Sequence, residues 1–265
     1  MAELIQIRVR SAWKTQILVI TALLQREVAT RFGKYKLSFV WMLVEPLIST
    51  IMLGLVIGGI VGKTVPEIPY AFFLLNGRIL LQMFSGSLNV GVRTISSNQG
   101  LLVYKTVKPL DPFLARFIFQ LLTTSFSFIL FCCVSMWLGV EFSLAQLHML
   151  LGAAVITWLS GCGMGLVFGV AAAYFKEVEK VVMLIQSPLM FISAVLAPIT
   201  VLPQAAQEIL LYNPLVHTIE QSRKAIFPFY NAGDTNLLYP FCIAITLLAV
   251  GLIVFQLNRN FLSQR

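Results

Sequence analysis

Charge is what this chain has least of. Only 11% of its 265 residues are Asp, Glu, Lys or Arg, while 58% are apolar. A soluble globular domain carries about 25% charged residues and roughly 45–50% apolar ones. The shortfall excludes a water-soluble enzyme of ordinary composition, and the apolar excess excludes a disordered chain. Histidine is nearly missing too. His148 and His217 are far apart and have no acidic cluster beside them, so neither a metal centre nor a catalytic pair is expected. The four cysteines (Cys132, Cys133, Cys162, Cys242) all lie in apolar runs without zinc-like spacing and read as small packing residues. No serine stands in a nucleophile-elbow pattern. Gly62-Lys63-Thr64 ends like a phosphate loop, but Ile57 occupies the place of the motif's first glycine. No nucleotide site is therefore expected in this chain, and no enzyme activity of its own.

What the chain has is long apolar runs. A membrane-spanning helix takes roughly 20 residues. Six runs qualify: Phe39–Val61, Tyr70–Val92, Phe113–Val140, Leu147–Tyr174, Val181–Ile199 and Leu237–Leu257. They leave room for short loops and no large extramembrane domain, so residues 1–265 read as one all-α transmembrane domain. Residues 1–36 form its polar lead. Within them Trp13, Ile17, Ile20, Leu24, Val28, Phe32 and Tyr35 recur at three- and four-residue steps, with basic residues between. That pattern predicts an amphipathic helix in the membrane interface, basic side to water, ending near Gly33. Residues 37–202 hold spans one to five. Residues 203–230 carry polar side chains at helical spacing and read as two short helices in a hairpin that enters the outer leaflet without crossing it. Asn213 can cap the second of these, with Pro214 in its first turn. Glu220 can pair with Arg223 and Lys224 one turn on.

Basic residues set the orientation. With both termini on one side, 15 of the 19 Lys and Arg collect there. Both termini are therefore expected in the cytoplasm. The formal charge of +8 reads as loop charge and attraction to anionic headgroups, not as nucleic-acid binding.

Away from the ends of the spans stand two charged side chains, Glu45 (followed by Pro46) and Arg78. An intramembrane charge is costly unless paired or hydrated, which makes both functional candidates. Glu45 has a bland alternative, pairing with Arg31 or Lys34. Arg78 either snorkels to the outer surface or lines a polar cavity. Gly54, Gly58 and Gly62 repeat every four residues, as do Gly161, Gly165 and Gly169. Such stripes let helices approach closely, either within the chain or against a sliding or partner surface.

The order of motifs resembles a known family. Arg26-Glu27-Val28-Ala29-Thr30-Arg31-Phe32-Gly33-Lys34, then Leu37, Trp41, Glu45 and Pro46, resembles the opening segment of ABC-2 type exporter membrane subunits. Phe73-Leu74-Leu75-Asn76-Gly77, Asn98-Gln99-Gly100-Leu101 with Tyr104, and Val107-Lys108-Pro109 are similar to its capsular polysaccharide branch. So are Pro188-Leu189 and Asn213-Pro214-Leu215-Val216-His217 with Glu220 and Arg223. The resemblance implies a homodimer with two cytosolic ABC ATPase subunits, which bind the ATP and Mg; this chain would bind no cofactor. The assembly would move a lipid-linked acidic polysaccharide across a Gram-negative inner membrane, with a periplasmic adaptor and an outer-membrane channel beyond. Six spans, an N-terminal gate helix and a periplasmic re-entrant hairpin would form the fold.

Residue by residue, the resemblance and the charge pattern assign four sets. Arg26, Arg31, Lys34 and Lys36 would meet the lipid headgroup at the gate helix. Trp41, Glu45, Pro46, Arg78, Phe84 and Phe191 would line the passage. Asn98, Gln99, Gly100, Leu101, Tyr104, Lys105, Glu177 and Lys180 would couple to the ATPase. Asn213, Pro214, His217, Glu220 and Arg223 would form the periplasmic gate. Within transport the alternative is an O-antigen or teichoic acid exporter. An integral-membrane glycosyl or prenyl transferase would need paired acids near the cytoplasmic face, and only Glu177 and Glu179 lie close together.

Overall fold

A computed structural model describes residues 12–32, 38–61, 68–102, 108–140, 143, 145–227 and 229–262. All regular structure among them is helical. Four of the helices are long and apolar enough to cross a membrane: α3 (Tyr70–Val92), α5 (Asp111–Trp137), α6 (Leu147–Tyr174) and α10 (Leu238–Leu257). They coincide with four of the expected runs to within three residues. Helix α2 (Ser38–Val61) covers the first expected run, and its described apolar stretch is Leu47–Gly58.

The most polar of the four long helices, α3, is also the most buried. It packs against α2, α5, α6, α7 (Glu177–Ile192) and α9 (Pro214–Ile226), and so forms the axis of the bundle. The most apolar, α10, is the least buried. The outward faces of α5 and α10 carry Leu122, Phe126, Ile129 and Ile253, the composition a lipid-facing surface requires.

Glycine sets the spacing of the central helices. A Cβ on Gly161 would lie 2.6 Å from the Phe84 carbonyl oxygen of α3, and one on Gly169 would lie 2.7 Å from that of Gly91. The second glycine stripe is thus used within the chain to bring α6 against α3. Gly54 and Gly58 of α2 similarly meet Ala71 and Tyr70, while Gly62 lies outside the described residues.

Helix α1 (Ala12–Phe32) forms where the amphipathic pattern places it, with one correction. Its polar side turns to protein as well as to water. Glu27 reaches Arg116 of α5 at 3.2 Å, and Arg26 bonds Asn98 of α4 (Thr94–Leu102) at 2.9 Å. Trp13, Ile17 and Val28 face outward. The charges hold α1 against the bundle, and its apolar residues are left for the bilayer interface.

The fifth expected run does not form one helix. Helix α7 stops at Ile192 after 16 residues, about 24 Å of helix against a bilayer core of about 30 Å. Pro188 lies inside it, Ala194 adopts a left-handed φ of 54°, and a short 3-10 turn follows at Ile199–Val201. The broken segment is buried in protein at Ala194, Val195 and Ile199. This is the setting in which non-helical backbone is tolerated at membrane depth.

The 203–230 region contains the two short helices expected, α8 (Gln204–Leu210) and α9. Asn213 accepts the Leu215 amide at 3.0 Å as the N-cap of α9, and Pro214 occupies the first turn. Helix α9 is enclosed among α3, α6 and α10 with 11 of its 13 residues buried.

Candidate substrate cleft

Helix α3 is buried on every side but one. On that side Arg78, Gln82, Ser85, Asn89 and Arg93 follow at steps of four, three, four and four, a single line along the helix. The line faces Met183, Gln186 and Met190 of α7 across a cavity of about 920 Å³. A second cavity, about 340 Å³, shares Gln82, Ser85, Asn89 and Arg93 and adds Arg31 of α1 with Arg116 and Gln120 of α5. The two form one cleft running along α3. Among the described residues no carboxylate lines either cavity, and every charged lining group is an arginine. A pair of amides bridges the cleft. Asn89 and Gln186 exchange two amide hydrogen bonds, each 2.8 Å, joining α3 to α7.

Arg78 therefore lies on the wall of a polar cavity. Phe84 does not. It is 6% exposed and packs into the core, because its position on α3 is turned from the polar line towards the α6 contact. Phe191 is exposed beside the cleft residue Met190. Trp41, Glu45 and Pro46 belong to α2, and their side chains lie outside the described residues. Gln82, Asn89, Arg93, Arg116 and Gln186 were missed at the sequence level. The signal was the helical spacing of polar residues after Arg78, in a run otherwise rich in leucine and phenylalanine.

At the gate helix, Arg31 pairs with Glu27 at 3.1 Å and stacks over Phe119, its carbon 4.9 Å from the ring centre. Glu27 is the described carboxylate that holds it, and the alternative pairing of Glu45 with Arg31 or Lys34 lies outside the described residues. Lys34 and Lys36 fall outside the described residues.

Of the assigned coupling residues, Gln99 and Gly100 are exposed on α4, as are Glu177 and Lys180 at the start of α7. Asn98 is not presented in this way. It is 7% exposed at a kink in α4 (φ −124°, ψ 16°), where it donates to the Thr94 carbonyl and accepts from Arg26. It fixes the segment instead of offering a surface. The Leu101 side chain, Tyr104 and Lys105 lie outside the described residues. Ser96 donates to Glu179 at 3.2 Å, tying α4 to α7.

Of the assigned gate residues, Asn213 and Pro214 are half-buried, while His217, Glu220 and Arg223 are buried. His217 has both ring nitrogens engaged, Nε2 with the Leu211 carbonyl at 2.8 Å and Nδ1 with the Asn236 amide at 3.1 Å. Glu220 and Arg223 pair at 2.9 Å with both side chains fully buried, while Lys224 is exposed and takes no part. The Tyr230 hydroxyl donates to Glu220 at 2.6 Å. Arg223 donates to the carbonyls of Ala194 and Val195 at 2.7 and 2.8 Å. Its guanidinium carbon stands 3.6 Å from the Phe73 ring centre. A Cβ on Gly77 would sit 2.6 Å from Arg223 Nη2, so the side chain fits because that position is glycine. Ser222 donates to Asn76 at 2.8 Å. Arg223 thus satisfies the carbonyls freed where α7 breaks. It is an internal strut, and no substrate can touch it in this arrangement.

Apolar helices long enough to cross a membrane, with a cleft whose charged lining groups among the described residues are all arginines, place the chain among helical membrane proteins. The profile of the ABC-2 type transporter family matches residues 19–227, and the chain belongs to that family. It is 35% identical to the polysialic acid transport protein KpsM of Escherichia coli over 251 residues, covering 93% of this chain and 96% of the relative. It is 30% identical to the capsule polysaccharide export inner-membrane protein CtrC of Neisseria meningitidis over 89% of each chain. It is 28% identical to BexB of Haemophilus influenzae, which carries the same description, over 83% of this chain and 82% of the relative.

Proposed function

We propose that this chain is the membrane subunit of an ATP-driven exporter that moves a lipid-linked acidic capsular polysaccharide across a bacterial inner membrane, from cytoplasm to periplasm. The observation that carries this reading is the end-to-end match to a polysialic acid transport protein. The cleft, whose charged lining groups among the described residues are all arginines, supplies chemistry suited to such a cargo. Arg78 attracts sugar carboxylates, and the exchangeable amides of Asn89 and Gln186 meet hydroxyls without a fixed register. Trp41, Glu45, Pro46 and Phe191 belong to the same passage in this reading, and Phe84 supports it from the core. Arg26, Arg31, Lys34 and Lys36 draw the lipid headgroup to the gate helix, each basic residue contributing about 1 kcal/mol of attraction.

In this reading two copies pair with two cytosolic ATPase subunits, which hold ATP and Mg, and a periplasmic adaptor and outer-membrane channel take the product onward. Six spans place both termini in the cytoplasm, with α2 and the broken α7 completing the four long helices. The α8–α9 hairpin closes the periplasmic end. The export test is complementation. A capsule-negative strain lacking its own membrane subunit should regain surface polysaccharide when given this chain with its ATPase. Arg78→Glu should abolish that recovery while the protein still inserts, and full recovery by Arg78→Glu would remove Arg78 from the passage.

Coupling is assigned to the α4 segment, whose Gln99 and Gly100 are exposed. Leu101→Asp should prevent copurification with the ATPase without loss of the membrane subunit. Copurification at the normal ratio would reject the assignment.

A further inference from the structure

Beside the start of α10 lies a hollow of about 540 Å³ that shares no residue with the arginine cleft. Glu208, Leu211, Tyr212, His217, Asn236 and Tyr239 line it. Glu208 and Tyr212 stand four residues apart, on one face of α8 and the turn that ends it, and both are exposed. Tyr239 belongs to the first turn of α10, and its hydroxyl donates to the Tyr212 carbonyl at 2.9 Å, which joins the two walls. His217 is buried behind them, its ring centre 5.1 Å from that of Tyr239.

The hollow carries one sign of charge. Among the described residues Glu208 is its only charged lining group. The Asn236 amide donates to His217 Nδ1, so that nitrogen is an acceptor. Nε2 then carries the proton given to the Leu211 carbonyl, and the ring is uncharged in this arrangement. A carboxylate beside two tyrosine rings suits a cation. The ring faces attract an ammonium group, and the carboxylate supplies its counter-charge. An acidic sugar chain has the wrong sign for this wall.

The setting says what carries the ammonium. Helix α10 has 20 residues, about 30 Å of helix, which equals the hydrocarbon core of a bilayer. Its ends therefore lie at the two interfaces, and Tyr239 stands at headgroup depth, where tyrosine is favoured. Leu238, Phe241 and Ile245 are exposed and follow at three- and four-residue steps, an apolar face leading away from the hollow. Ile209 of α8 is exposed as well. An ammonium held between the rings has room for acyl chains along α10.

We infer that this hollow binds the ammonium headgroup of a phospholipid. Glu208 is the counter-charge, Tyr212 and Tyr239 are the aromatic walls, and the outward face of α10 is the bed for the acyl chains. The lipid so held ties α8 to the leaflet beside the start of α10. The inference goes beyond the export reading and does not depend on it.

The test is photolabelling of the purified full-length chain in detergent, followed by peptide mapping. The probe is a phosphatidylethanolamine with a diazirine in its tail. Label should appear within residues 209–212 and 238–245, and unlabelled phosphatidylethanolamine should suppress it. The N-acetyl derivative keeps the tails and the phosphate but not the ammonium, and should compete about fivefold less well. Glu208→Gln and Tyr212→Leu should each reduce label there about fivefold, the loss of one exposed charge contact or one cation–ring contact. Tyr212→Phe keeps the ring and should keep the label. Both side chains are exposed, so thermal midpoints should not move. Phosphoethanolamine in solution should fail to compete where the lipid succeeds, and equal competition by it would overturn the assignment to a lipid. Equal competition by the N-acetyl derivative, or unchanged label in either Glu208→Gln or Tyr212→Leu, overturns the inference. The readout uses neither ATPase nor glycan, so it stands or falls apart from the complementation result.

Discussion

Replacing Arg223 by methionine is expected to cost about 3–5 kcal/mol of stability, the range for removing one partner of a buried ion pair. The loss has three sources. Glu220 would keep a buried charge with its ion-pair partner gone, bonded by the Tyr230 hydroxyl and the Ile199 backbone. The carbonyls of Ala194 and Val195 would lose their donor, and each unsatisfied buried acceptor costs about 1–3 kcal/mol. The stack on Phe73 would also disappear. In detergent, the thermal midpoint followed by size-exclusion fluorescence should fall sharply, and expression in the membrane with it. The double change Glu220→Gln with Arg223→Met should recover part of the loss, because the unpaired charge has been removed. A single Arg223→Met chain as stable as the original would show that the strut contributes nothing.

Gly91→Leu is the second change expected to damage the protein severely. A Cβ at position 91 would lie 2.5 Å from the Gly165 Cα, which is backbone and cannot turn aside. Helices α3 and α6 would have to separate, and their contact is the centre of the bundle. Overpacking costs typically about 1–3 kcal/mol and occasionally more, and a leucine here sits at the upper end. The cleft is hung on α3, so export should fail even where some protein inserts. Gly152→Ala is the control. Its new methyl group would meet only the Leu237 side chain, at 3.8 Å, and should be neutral or stabilising by up to about 1 kcal/mol. Equal thermal midpoints for Gly91→Leu and Gly152→Ala would contradict the close-approach argument.

The sequence by itself determined the membrane class, the positions of the four long helices and the local caps. These depend on transfer from water, which acts residue by residue, and on short-range backbone chemistry. Tyr70–Val92 and Leu147–Tyr174 are legible because a bilayer demands an uninterrupted apolar helix of fixed length. Asn213-Pro214 is legible because a cap is a contact between near neighbours. The glycine spacing marked close approach without naming the partner. Even the Glu220–Arg223 pair follows from a spacing of three residues.

Only the tertiary structure decided which way those residues face. Phe84 and Ser85 are consecutive, yet one is in the core and the other on the cleft, because α6 packs against one side of α3 and α7 stands off the other. The Glu220–Arg223 spacing cannot tell a solvated pair from a buried strut. That depends on Gly77 and on carbonyls near position 194, far away along the chain. The end of α7 at Ile192 depends equally on Arg223 being present to satisfy what the break exposes. The polar line from Arg78 to Arg93 had the right period, but a period fixes a face and not its neighbour. Whether that face meets lipid, a helix or a cavity is settled by distant helices packing together, which no local pattern records.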